Sequence, residues 1–233
     1  MNWLANVWAD FSKVFLEKGR YLSYLKGFGV TLEVSFFAVL LGVAVGALLA
    51  IVKYMAVRHK KFRLPGWIAN VYITVIRGTP VYVQMLIIYF MIFTGRNSPA
   101  ILSGVICFGL NSSAYVAEII RAGIEAVDAG QAEAGRSLGL SEMQTMKSII
   151  MPQAIKNILP ALGNEFIVLI KETAVIGNIT VLDVTKAAQN IGNSTYNYLM
   201  PLLITAVMYL IVVIILTKLL GMFERRLRKS DRR

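Results

Sequence analysis

The chain has 233 residues, 57% of them hydrophobic, with a mean hydropathy of +0.64; soluble domains hold roughly 45–50% apolar residues, so this composition reads as one membrane domain without a large soluble appendage. The net charge of +11, from 24 Lys and Arg against 13 Asp and Glu, suits nucleic acid or anionic lipid by sign alone, and placement has to decide between them. A single cysteine, Cys107, excludes an intrachain disulfide, and the single histidine, His59, leaves no Cys/His metal site to build.

From Met1 to Phe15, apolar residues recur near the helical period: Trp3 and Leu4, Val7 and Trp8, Phe11, then Val14 and Phe15. Residues 1–28 are expected to form an interfacial segment or a helix end packed on the bundle. With no basic stretch ahead of a continuous apolar core, they do not form a signal peptide. Thr31 to Val52 is the first predicted span, broken only by Glu33. Ala38, Gly42, Gly46 and Ala50 share one face, where another helix backbone can come close. Lys53, Arg58, Lys60, Lys61 and Arg63 follow without an acidic residue, which places this loop in the cytoplasm and the N-terminus outside. That juxtamembrane placement accounts for the basic charge without nucleic acid.

Pro65 opens a second apolar stretch, Trp67 to Phe93, interrupted by Arg77, Gly78, Thr79 and Pro80. Thr79 is the predicted N-cap and Pro80 the first helical position of a fresh helix. Either Arg77 marks the cytoplasmic boundary, the preferred reading, or the span is discontinuous at depth and its freed backbone faces protein or a cavity. Arg96, Asn97 and Ser98 form an outer turn. The third span runs from Pro99 to about Ile120, with Asn111, Tyr115 and Glu118 on one face, which must point at protein or water. Ser112 and Ser113 suit interhelical hydrogen bonds; Asn111 and Glu118 suit packing and substrate contact equally.

A polar insertion, Glu133 to Pro160, comes next. Asp128 to Leu138 is a predicted helix, Gly139 a break, Ser141 an N-cap, and Glu142 to Ile150 a second helix ending at Pro152. Leu138, Leu140, Met143, Met146, Ile149 and Ile150 form a stripe able to dock while Arg136, Glu142, Gln144 and Lys147 stay wet. Leu199 to Leu220 is the next clean apolar run. The basic tail, residues 225–233, belongs in the cytoplasm, so one more crossing is required. Only Ile158 to about Val181 can supply it, although Asn164, Glu165, Lys171 and Glu172 lie within and must face a polar interior, pair, or lie near the surface. Asn164, Ile167 or Val168, and Lys171 lie along one side. Gly177 to Thr195 holds a re-entrant or external helix around Leu182 to Gln189. No Gly-x-x-x-x-Gly-Lys-Ser/Thr loop cradles phosphates and no catalytic constellation is present, so enzymatic activity is not expected.

Glu133, Ala134, Gly139, Ile149 and Pro152 fall at the spacing of the cytoplasmic signature of ATP-binding-cassette (ABC) importer permeases, and the chain resembles that family. It departs at Gly135, where the family prefers Ala, and at Met151, where it prefers Leu, both modest changes in size. The string RGTPVYVQ (Arg77, Gly78, Thr79, Pro80 and Gln84) resembles an element of polar amino acid permeases. LNSSAYVAEIIRAGI, NEFIVLIKETAVIG and VLDVTKAAQNI extend the likeness from Gly29 to Arg226. It implies an all-α, type I importer permease fold of about five transmembrane helices, with the tail cytoplasmic and a coupling helix in loop 125–152 of a permease domain spanning 29–224. It implies a dimer of like or homologous permeases in a bacterial plasma membrane, two separate ATPase subunits carrying ATP and Mg²⁺, no cofactor in this chain, and an extracytoplasmic binding protein delivering a polar amino acid. Asn111, Tyr115, Glu118, Asn164, Lys171 and Glu172 are the candidate pathway residues. A permease for another small solute, or an ATPase-independent transporter or channel, is the alternative.

Overall fold

The computed structural model describes residues 3–93, 95 and 99–229; the outer turn expected at 96–98 and the end of the tail lie outside them. Ten α-helices follow in order: α1 Trp3–Phe11, α2 Tyr21–Arg58, α3 Arg63–Gly78, α4 Val81–Ile92, α5 Ala100–Glu125, α6 Ala129–Ser137, α7 Glu142–Thr145, α8 Met151–Glu172, α9 Val184–Thr195 and α10 Leu199–Lys229. No strand occurs among the described residues.

The long axis of the molecule is α2. Its 38 residues extend about 57 Å at 1.5 Å per residue, well beyond the roughly 30 Å hydrocarbon core. The expected span Thr31 to Val52 is therefore the middle of a longer helix, because nothing on either side breaks it until His59, whose backbone is extended. The face of small residues meets α5 as expected. A Cβ on Gly42 would stand 2.9 Å from Ser112 Cβ, and one on Gly46 would stand 2.7 Å from the Ser113 carbonyl. In return Leu41 fills the hollow over Gly109. Contacts of this closeness hold helices together where apolar burial gives no net drive.

Val34, Ala38, Met85, Cys107, Phe108, Leu169 and Ile176 form a core between α2, α4, α5 and α8. A second cluster joins Val14 and Tyr24 to Val184, Ala188 and Ile191 of α9, so the N-terminal segment is packed on the bundle at Val14 while Trp8 stays exposed. Three helices, α2, α5 and α10, are long and apolar enough to cross a membrane, and a fourth crossing arises if α3 and α4, bent by 115°, act as one span. With 22 residues, α8 reaches about 33 Å, but its charged residues keep it outside that composition test.

Three local expectations are corrected. Pro80, with φ −65° and ψ 133°, is the N-cap of α4 and Val81 its first helical residue; Thr79 instead ends α3 and donates its hydroxyl to the Val75 carbonyl at 2.8 Å. Pro152 does not end the second cytoplasmic helix: after a widened turn over Met146–Ile150 it sits in the first turn of α8, where a missing N–H leaves no bond unmade. The helix expected around Leu182 to Gln189 starts at Val184, capped by the Asp183 carboxylate, which accepts from the Lys186 and Thr185 N–H groups, and continues to Thr195.

Candidate coupling surface and polar pathway

The cytoplasmic motif folds into two short helices joined by a fixed elbow. Asp128 caps α6 by accepting from Gly130 N–H. At its end the Gly139 N–H donates to Arg136 O at 2.9 Å and the Leu140 N–H to Gly135 O at 3.1 Å, the paired closure that needs a left-handed residue between them. Gly139, at φ +76°, supplies it without the Cβ clash any other residue would bring. Ser141 caps α7 as expected, and Gln144 completes the pair: its N–H donates to Ser141 Oγ while its side-chain oxygen accepts from the Ser141 N–H.

The expected apolar stripe divides in two. Leu138 and Met143 stand 78% and 69% exposed beside the elbow, while Leu140, Met146, Ile149 and Ile150 are half-buried toward the body. Glu133, Ala134, Arg136, Gln144 and Lys147 are exposed. Gly135 is buried against Thr145, whose methyl and hydroxyl lie 2.6 and 2.7 Å from where a Cβ on residue 135 would stand. The departure from Ala at Gly135 is thus more than a modest change of size, since Thr145 occupies the room an Ala methyl would need. Glu142 forms an ion pair with Arg58, whose guanidinium also lies 3.6 Å over the Tyr54 ring. The coupling segment is thereby tied to the end of α2.

The polar stripe of α5 is engaged by its neighbours. Glu118 accepts from Lys53 of α2 at 3.0 Å and from Arg121 at 2.8 Å, and lies 3.5 Å from Arg77 of α3. Arg77 also approaches the Tyr115 ring at 5.7 Å. Asn111, only 2% exposed, donates to the Gln84 side-chain oxygen at 2.8 Å. Gln84 in turn donates from its amide nitrogen to Ile76 O, Thr79 O and Thr79 Oγ1. The Arg77, Gly78, Thr79, Pro80 and Gln84 element therefore builds and fastens the bend between α3 and α4. Ser113 shares a 2.9 Å hydrogen bond with Tyr72 of α3, and Ser112 donates to buried Glu165 of α8 at 2.7 Å, the interhelical role expected of both.

On α8 the expected side is only partly right. Asn164 and Lys171 are exposed, with Val168 and Glu172 half-buried near them, but Ile167 turns inward. The structure thus separates the six candidate pathway residues: Asn164, Lys171 and Glu172 form one surface on α8, whereas Asn111, Tyr115 and Glu118 face α3 and α4. The sequence reading missed Arg58, Lys53 and Thr145 as partners. Only the departure at Gly135 carried a signal, pointing to whatever fills the missing methyl.

Residues 38–229 match the family model described as binding-protein-dependent transport system inner membrane component. A putative glutamine transport system permease of Rickettsia bellii is 41% identical over 210 residues, covering 89% of this chain and 94% of that protein. An arginine transport system permease of Bacillus subtilis is 41% identical over 209 residues, covering 89% and 93%. Among solved structures, an amino acid ABC transporter with histidines shares 48% identity and a TM-score of 0.83, covering 91% of this chain and 98% of that one. A methionine ABC transporter in an inward-facing conformation, at 17% identity and a TM-score of 0.73, shares the fold. The exposed elbow at the family's signature spacing and the all-helical bundle behind it agree with these matches: the chain belongs to the family of binding-protein-dependent transport system inner membrane components.

Proposed function

We propose that this protein is the transmembrane permease subunit of an ATP-driven importer that moves a polar amino acid delivered by an extracytoplasmic binding protein. The preformed elbow, with Leu138 and Met143 exposed at its rim, is the observation that carries this reading. Exposed apolar anchors on a rigid turn suit a groove on a partner protein, and here the partner is an ABC ATPase subunit, two per transporter, holding ATP and Mg²⁺. The printed roles of the relatives, glutamine and arginine transport, support the polar amino acid class.

Five crossings, counting α2, the bent pair, α5, α8 and α10, place the N-terminus outside and the basic tail inside. They are too few to enclose a pathway, so a second permease completes it. Asn164, Lys171 and Glu172 on the open side of α8 offer donors and acceptors to an ammonium and a carboxylate. Asn111, Tyr115 and Glu118 serve that pathway from behind, by fixing α3, α4 and α5.

The test is affinity purification of the tagged chain from its native membrane, with mass spectrometry of what accompanies it. Wild type should bring an ABC ATPase, and Gly139→Val should lose it while inserting normally, because valine cannot adopt the left-handed elbow without strain. An ATPase retained in full by a transport-competent Gly139→Val variant would remove the elbow from the coupling role.

A further inference from the structure

Three non-glycine residues have positive φ: Lys18 at 54°, Thr180 at 69° and Tyr196 at 54°. All three lie in segments that join or brace α9. Left-handed backbone at such residues costs on the order of 1–3 kcal/mol and persists only where the surroundings enforce it. Tyr196 is the sharpest case, being 93% exposed: the strain holds in place a side chain that packs on nothing.

The surroundings do enforce it. Lys13 donates to the Thr195 carbonyl at 3.2 Å, and Thr195 Oγ1 donates to Ile191 O at 2.8 Å. On the other side Tyr198 donates its hydroxyl to Asn193 Oδ1 at 2.6 Å, and Asn197 Oδ1 accepts from the Met200 N–H. Both flanks of Tyr196 are fixed, so the ring projects in a set direction.

That direction is away from the coupling surface. The start of α9 touches α2 near its N-terminus, where the Val184 N–H donates to Thr31 Oγ1, and Arg58 at the other end of α2 pairs with Glu142. Thr31 and Arg58 are about 40 Å apart along the helix, more than the roughly 30 Å apolar layer. From Thr31, α9 runs outward past Tyr24 to Lys13, which precedes α2. Tyr196 therefore stands beyond the membrane on the side opposite the elbow.

We propose that Tyr196 is an anchor for the extracytoplasmic binding protein, presented by a backbone strained to aim it. This rests on the importer reading above. Its neighbours are uncharged and polar, with Asn193 and Ser194 exposed and Tyr198 half-exposed, and an aromatic anchor within a polar rim is the composition of protein-binding hot spots. Partition of a tyrosine into lipid headgroups needs no fixed direction.

The test begins with p-benzoylphenylalanine at position 196 in living cells. Irradiation should give an adduct with an amino-acid-binding protein, identified by mass spectrometry; adducts only with lipid or with the permease itself overturn the proposal. That binding protein, loaded with its amino acid, is then titrated onto the permease–ATPase complex in nanodiscs. Tyr196→Asn keeps a side chain that tolerates left-handed backbone and removes the ring. The concentration for half-maximal ATPase stimulation should rise tenfold or more, with an unchanged or higher unfolding midpoint. An unchanged half-saturation overturns the proposal, and so does a lowered midpoint accompanying the loss, which would make Tyr196 structural. A wild-type complex that no binding protein stimulates removes the importer reading itself, and this proposal with it.

Discussion

Gln84 shows how one side chain can set the course of a span. The bend between α3 and α4 leaves carbonyls at the end of α3 without helical partners, and the Gln84 amide meets those of Ile76 and Thr79 while its oxygen meets buried Asn111. Gln84→Leu should destabilise the protein by about 1–3 kcal/mol for each buried group left unpaired. Adding Asn111→Leu should cost less than the sum of the two single changes, because the second partner no longer needs satisfying. Thermal unfolding in detergent measures both, and strictly additive losses would mean the two amides are not coupled. The Arg77 to Gln84 spacing was readable in the sequence, but the reach of Gln84 back across a 115° turn was not, since it depends on a direction no local propensity encodes.

At the scale of elements, the α6–elbow–α7 unit was the most legible part. Gly139, Ser141 and Asp128 act within one helical turn, so their roles follow from spacing alone. Thr145 was not legible, because its partner Gly135 meets it only after the elbow has folded the two helices together. An alanine at 135 would place its methyl 2.6 Å from the Thr145 methyl, and a β-branched side chain in a helix has little freedom to turn aside. Gly135→Ala should therefore splay α6 from α7, at an overpacking cost of about 1–3 kcal/mol, and lower ATP-dependent uptake. Thr145→Ala in the same chain should restore uptake, although Thr145→Ala alone leaves a small void. Uptake set against expression level reads this directly. If the double variant is as impaired as Gly135→Ala, residue 135 meets something other than Thr145.

For the whole molecule, exposure alone does not tell lipid from water. Both α8 at Asn164 and α10 at Leu210 present open faces in the single chain, yet their chemistry differs. A polar side chain facing hydrocarbon is costly, whereas Leu202, Leu203, Leu210, Ile211 and Ile214 make α10 apolar along its exposed side. Glu118 illustrates why such assignments escape a linear reading. Its polar character looked like a pathway signal, but Lys53 and Arg77, distant in sequence, neutralise it within the subunit. Asn164 and Lys171 remain open, so the pathway and the second permease belong on that side of α8 and lipid on α10. A cysteine at Asn164 in the assembled transporter should react with a charged, membrane-impermeant thiol reagent, and a cysteine at Leu210 should not. Native Cys107, 2% exposed, gives little background to either. Reaction at 210 with protection at 164 would reverse the assignment, turning α8 toward lipid and α10 toward the pathway.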